Sequence, residues 1–337
     1  MTCREIVMEQ IDHRETPRVP YTLSISKDVE ARLDTHYRGE TWRDRITKYI
    51  KSYDVTGDAA WQELDEKHAR DAFGTVWRTD KIPVVVETVP LKEPSFENYE
   101  FPSAEFFVDP ALVKEVKRKI DEQPDLFTTV SIPCLWASWY FRGFETTMMD
   151  IIAEEDFYVD LLDRLTELTL GIIELCADLP VDAIMVGDDW GEQRGVMIGP
   201  DRWRKFYKPR YAKIFEAICD KGKTSILHCC GSVFDIMDDI VEIGLNVLES
   251  VQPEAANMNP FELKRRWGEN ITFWGGLGTQ YTIPFAKPAE IRHEIRKLRA
   301  DMAKRGGYIL APAKPLRPEV PTENAVAVFE EFVSEGN

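Results

Sequence analysis

The sequence has no apolar run near the roughly 18 residues that a membrane-spanning helix requires. Positive charge is scarce: 42 Lys and Arg stand against 59 Asp and Glu, a net charge of −17. Nucleic acid or an anionic membrane would need a basic face to neutralise phosphates, so neither is expected as the main partner. Cysteine is sparse, with six scattered through 337 residues. That excludes a disulfide scaffold and points to reduced thiols in a cytoplasmic protein. The opening Met1-Thr2-Cys3-Arg4-Glu5 lacks the charged-then-apolar pattern of a secretory signal. No P-loop and no Rossmann glycine fingerprint occurs, which leaves nucleotide chemistry without support. What is present is 44% apolar and 30% charged residues, enough for a large core under a charged surface. Disordered and collagen-like chains are thereby excluded.

No linker, repeat or low-complexity stretch divides the chain, so residues 1–337 are expected to form a single domain. From about residue 127 onward, strands alternate with helices. Short apolar or β-branched runs bounded by Gly, Pro or Asp predict strands at residues 127–132, 182–187, 223–228, 245–250, 271–275 and 307–311. Asn259-Pro260 followed by a stop at Gly268 marks one helix, and Ile291, Ile295, Leu298 and Met302 stripe another. Ser232 is placed to cap a third, and Phe157, Leu161, Leu165, Leu168 and Ile172 line a fourth. Such alternation implies a parallel sheet with right-handed crossovers. The first half supplies a strand at residues 18–25, an amphipathic helix at 42–53, a weak strand at 55–61 and a hairpin excursion near 71–90. The expected class is α/β, a single (β/α)8 TIM barrel, with an open α/β sheet as the alternative.

In such a barrel the active site lies at the carboxyl ends of the strands, and the chemically capable residues gather there. One strand runs into Asp188-Asp189-Trp190-Gly191-Glu192-Gln193, the next into His228-Cys229-Cys230-Gly231, and a third ends at Glu249. The last two run into Gly275-Gly276-Leu277-Gly278-Thr279-Gln280 and Ala313-Lys314. Along extended backbone residues two apart share a face, so His228 and Cys230 can meet one centre while Cys229 faces away. Imidazole with thiolate suits zinc, and Glu249 or Asp188 could supply a third ligand. Asp188 and Glu249, with Lys314, are the catalytic candidates. Asp189, Trp190, Gln193, Gln280 and Arg317 are candidates to bind substrate. The pair Gly275-Gly276 would let a cofactor approach the backbone.

These stretches, with residues 2–20, 139–150 and 306–324, resemble the uroporphyrinogen decarboxylase superfamily over nearly the whole chain. The resemblance implies a (β/α)8 barrel and one of two chemistries. Decarboxylases of the superfamily carry an arginine-rich motif after the first strand; here Tyr21-Thr22-Leu23-Ser24-Ile25-Ser26-Lys27 lacks it. Zinc-dependent methyltransferases of the superfamily pass methyl groups to or from a cobamide on a corrinoid protein. His228 and Cys230 match the first two positions of their His-x-Cys zinc motif. Their third ligand is a Cys, and Lys314 stands at that position after Leu310-Ala311-Pro312-Ala313. The Asp188-Asp189-Trp190-Gly191 signature is similar to that of a further subgroup. The expectation is therefore a methyltransferase-like enzyme for a small methylated or methoxylated compound, with zinc, a corrinoid partner and a homodimeric state. The alternatives are a cofactor-free decarboxylase, with Lys314 and Arg317 on a carboxylate and Asp188 handling the proton, and a non-catalytic binding barrel.

Overall fold

The computed structural model describes residues 1–57, 60–81 and 83–334, the side chain of Trp136 excepted. Among the described residues eleven strands form two sheets: β1 (Ile50–Tyr53), β2 (Trp61–Asp65), β3 (His68–Asp71), β4 (Val76–Arg78), β5 (Val85–Thr88), β6 (Phe127–Ile132), β7 (Ala183–Gly187), β8 (Thr224–His228), β9 (Val247–Val251), β10 (Thr272–Leu277) and β11 (Tyr308–Pro312). Seven of them pair in the order β1-β6-β7-β8-β9-β10-β11, and every pairing is parallel. The order follows the chain, as successive strand–helix–strand crossovers dictate. All six strands expected from residue 127 onward are there, within two residues at each boundary. They read clearly because helices cover the sheet, so the strands are near-continuous apolar runs; every residue of β10 and β11 is buried.

The helices expected between them also form. In Pro260–Trp267, Asn259 Oδ1 accepts from the backbone N–H groups of Phe261 and Glu262 at 3.1 and 3.2 Å. Helix Pro288–Met302 buries Ile291, Ile295, Leu298 and Met302, and Glu155–Leu175 buries Leu161, Leu165, Leu168 and Ile172. Ser232 begins only a 3-10 turn, Phe234–Ile236, which leads into the short helix Met237–Glu242. Buried apolar side chains from Ile6 to Phe332 join in one core cluster. Among the described residues no helix is long and apolar enough to cross a membrane, and no disulfide is formed.

The first half departs from the expectation. The expected helix at 42–53 is a 3-10 turn, Thr41–Arg45, followed by β1. Tyr49, Ile50 and Tyr53 suit a sheet edge at least as well as a helix face, and β6 offers that edge: Phe127 N–H donates to Tyr49 O at 3.0 Å. An unexpected helix, Lys27–Tyr37, precedes the turn and buries Val29 and Leu33. The expected strand at 18–25 makes only two isolated parallel bridges to the far edge, Tyr21 with Leu310 and Ile25 with Leu316. The weak strand at 55–61 includes residues 58 and 59, which lie outside the described residues, and Trp61 belongs to β2. The hairpin excursion is larger than expected: β2-β3-β4-β5 is a four-stranded antiparallel sheet, although Ile82 also falls outside the described residues.

The seven-stranded sheet thus has a seam between residues 21–25 and residues 46–52. A cavity of about 700 Å³ lies there, lined from both sides and reaching Met185, His228, Glu249 and Trp274. Trp274 Nε1 donates to Thr22 Oγ1 at 2.9 Å, one tie across the interior. The excursion is anchored separately. Arg142 donates to Lys92 O at 2.6 Å and forms a buried ion pair with Asp150, Nε to Oδ2 2.6 Å. Replacing one member of such a pair strands the other charge. Asp150→Ala is expected to lower unfolding free energy by about 3–5 kcal/mol in urea titrations, and an effect below about 1 kcal/mol would show that the pair is not a fixture.

Candidate active site

Parallel register sets the carboxyl ends of three strands level: Gly187 pairs with His228, and His228 with Glu249. The loops that leave these ends carry the chemistry. Alternation does on β8 what the spacing predicts. His228 and Cys230 share a face, with Nε2 3.3 Å from Sγ. Cys229 is buried on the other side, where its sulfur accepts from Trp190 N–H at 3.2 Å. Burial pushes the Cys229 thiol well above its ordinary range, so it is an inert core thiol.

The acid that joins His228 and Cys230 is Asp189. Its Oδ1 accepts the Cys230 backbone N–H at 2.8 Å and lies 3.9 Å from His228 Nε2. Nitrogen, sulfur and oxygen donors of His228, Cys230 and Asp189 all lie within 4.8 Å of one another. Neither acid expected as a third ligand stands there. Glu249 Oε2 is hydrogen-bonded to His228 Nδ1 and fixes the ring from behind. Asp188 is 1% exposed and accepts from Tyr211 OH, which also contacts Cys134 Sγ at 2.7 Å. Burial and the nearby Asp188 push the Tyr211 hydroxyl far up, so it stays a proton donor. Consecutive residues on extended backbone point apart, so one acid of the pair turns inward and one toward the rim.

Two glycines make this geometry possible. A Cβ on Gly191 would lie 2.6 Å from Cys230 O, and one on Gly231 would lie 2.6 Å from the Gly191 carbonyl carbon. Gly231 also has φ +76°, a region L-residues avoid. The acid loop and the thiol loop therefore touch backbone to backbone. Gln252, just past β9, accepts the Gly231 N–H at 3.2 Å and secures the corner.

The remaining expected residues divide. Gln193, Gln280, Lys314 and Arg317 line one cleft of about 540 Å³, with Gln252. Lys314 meets no carboxylate within ion-pair distance among the described residues; its Nζ donates to Cys230 Sγ at 2.5 Å. Trp190, expected to bind substrate, is instead turned into the core, 4% exposed and edge-on to Trp203 and Tyr211 with centroids 4.9 and 4.5 Å away. The space beside Gly275 and Gly276, expected to admit a cofactor, is filled by protein. A Cβ on the first would lie 2.7 Å from Val251 N, and one on the second would meet Tyr308, Leu298 and Pro260 within 3.5 Å. These glycines let β10 pass close to β9 and the helix layer. Gln252 stands just beyond the predicted strand end at Glu249, whereas Tyr211 and Cys134 had no signal in the sequence beyond their residue type, because only the folded chain brings them together.

Residues 74–334 match the family profile described as Uroporphyrinogen decarboxylase (URO-D). Among curated relatives, a methylcobamide:CoM methyltransferase of Methanosarcina barkeri is 25% identical over 178 residues, 52% of this chain and 49% of that protein. A uroporphyrinogen decarboxylase of Geobacter sulfurreducens is 23% identical over 178 residues, 53% of this chain and 49% of its own length. The chain spans about half the length of these curated relatives. A solved methyltransferase from Methanosarcina mazei superposes with a TM-score of 0.70 at 18% identity, covering 98% of both chains. At that identity the likeness speaks to the fold.

Burial disfavours a charged His228 ring, but its hydrogen bonds to Cys230 and Glu249 outweigh this and raise it from 6.5 to about 10. A raised value stabilises the fold fully below pH 6.5, and that contribution is lost as pH rises through about 10. In metal-stripped protein the His228 Cε1–H resonance should therefore titrate near pH 10, and a midpoint at an ordinary histidine value would contradict the pairing.

Proposed function

The chain belongs to the uroporphyrinogen decarboxylase (URO-D) family, and from that premise we propose that it is a methyltransferase-like enzyme. Its substrate is a small methylated or methoxylated compound, its metal zinc, and its methyl acceptor a cobamide carried by a corrinoid protein. One observation carries the reading: a nitrogen, a sulfur and an oxygen donor converge at the carboxyl ends of β7 and β8. Catalytic zinc sites commonly use three protein ligands and keep a further position open. His228, Cys230 and Asp189 fit that donor set, and Glu249 on His228 Nδ1 is the kind of outer partner that orients a ligating imidazole. When bound, zinc supplies a Lewis acid that polarises an ether oxygen or stabilises a thiolate. The similarity to a curated protein named as a methyltransferase supports the same reading.

The residues of the chain have their own work in this scheme. Asp189 holds the Cys230 backbone and faces His228, so it sets the spacing of the donors. Asp188 and Tyr211 form a buried proton-holding pair behind them. Lys314 places an ammonium on the Cys230 sulfur, so a metal taking that sulfur has to displace it. Gln193, Gln280 and Arg317 offer polar groups to a substrate in the adjoining cleft.

A decarboxylase-like reading is favoured by one specific observation: Lys314 and Arg317 line the same cleft. Two cations there suit a carboxylate, Arg through paired hydrogen bonds and Lys as a point charge. Metal analysis separates the two. Protein purified without added metal is expected to hold about one zinc per chain. His228→Ala and Asp189→Asn should each lose it, while Lys314→Met should hold it more tightly. Equal metal content in wild type and His228→Ala would remove the zinc site, and carbon dioxide release from a carboxylated substrate by metal-free protein would favour the decarboxylase.

A further inference from the structure

The four-stranded excursion encloses a second cavity that the reading above does not use. It measures about 700 Å³ and lies between β2–β4 and the carboxyl ends of β6 and β7. Trp61, Phe73 and Trp77 line it from the excursion; Phe107, Trp139 and Tyr140 line it from the other side. Trp77, Trp139 and Tyr140 stand edge to face with one another, centroids 4.7–5.5 Å apart and planes at 76–88°. A chamber of this size and lining is within the range of small-molecule sites.

Its floor is Gly187, the residue that pairs with His228 and precedes Asp188. This glycine differs from those that hold the loops together. It has no positive φ, and a Cβ built on it would meet nothing within 4 Å. Neither strain nor crowding requires glycine there, and what its missing side chain does is leave the chamber floor open beside the donor cluster.

The charge balance of the lining narrows the occupant. Asp71 is its one charged residue among the described ones. That carboxylate is engaged: Oδ2 accepts from Trp77 Nε1 at 2.8 Å, and Oδ1 accepts from Phe73 and Thr75 N–H at 2.9 Å each. No basic group lines it among the described residues to hold an anion, and the carboxylate oxygens are taken up within the protein rather than offered to a cation. Perpendicular aromatic walls best complement another aromatic ring, which can meet a face and an edge together.

We propose that this chamber binds the ring of a neutral aromatic substrate and presents a substituent across Gly187 to the His228–Cys230–Asp189 cluster. As the ring-binding half of a methoxylated substrate, it rests on the methyl-transfer reading. The test uses the full-length protein and 4-methoxyphenol, with tetramethylammonium and methoxyacetate as cationic and anionic comparisons. Binding is read by calorimetry and by quenching of tryptophan fluorescence. Wild type should bind 4-methoxyphenol saturably and prefer it to both ions. Gly187→Leu should fill the floor and weaken binding by about tenfold or more, and Trp61→Ala by about tenfold, the scale of one aromatic contact. Trp61 is 43% exposed, so its replacement should cost less stability than the leucine variant, and the melting temperature of each variant is measured alongside binding. Absence of binding, a preference for either ion, or unchanged binding by Trp61→Ala would overturn the proposal. Zinc content of the same samples reports on the methyl-transfer reading alone, so each can fail without the other.

Discussion

The site depends on one contact, the meeting of backbone with backbone where the loop after β7 crosses the loop after β8. No side chain fits between Gly191 and Gly231. Because the two loops are pressed together, Asp189 reaches the Cys230 N–H, and Cys229 can receive the Trp190 N–H from the opposite face. The backbone segments that carry the three donor residues are thereby held by main-chain contacts, which cost no side-chain entropy to maintain. An added methyl group at either glycine would separate the loops and undo several hydrogen bonds at once.

How much of this could be read beforehand follows from which interactions are local. The strands from β6 onward were legible because burial on both faces writes them as short apolar runs, and the pairing of His228 with Cys230 was legible from two-residue alternation. Residues 42–53 are ambiguous in the sequence because an aromatic spacing that fits a helix also fits an edge strand, and only the presence of β6 decides. Between Asp188 and Asp189, sequence could say that they point apart but not which one turns inward; that depends on Tyr211, 23 residues away. At Trp190 the polar rim in the sequence conceals a ring that folds back under it. The glycine pair on β10 suggests space for a ligand, but the space is used for packing against Val251 and the helix layer.

The chemistry around the donor cluster is unlike on its different sides. Toward the 540 Å³ cleft it is polar and cationic, with Lys314 and Arg317. Toward the excursion it is aromatic, and its single acid is engaged within the protein. The four-stranded sheet that builds the second wall is tied down at Lys92 by Arg142. A substitution in that anchor would act on the aromatic wall without touching a donor atom, so stability of the excursion and shape of the site are linked.

The seam in the sheet bears on where the interior meets solvent. The cavity along it is bordered by exposed Asp44 and Lys48 at one end and by His228 and Glu249 at the other. A fully closed ring of strands would leave the strand ends as the sole way in. Here the cavity lined by the imidazole–carboxylate pair is also lined by exposed residues of the seam, so strand ends are not its only border with solvent.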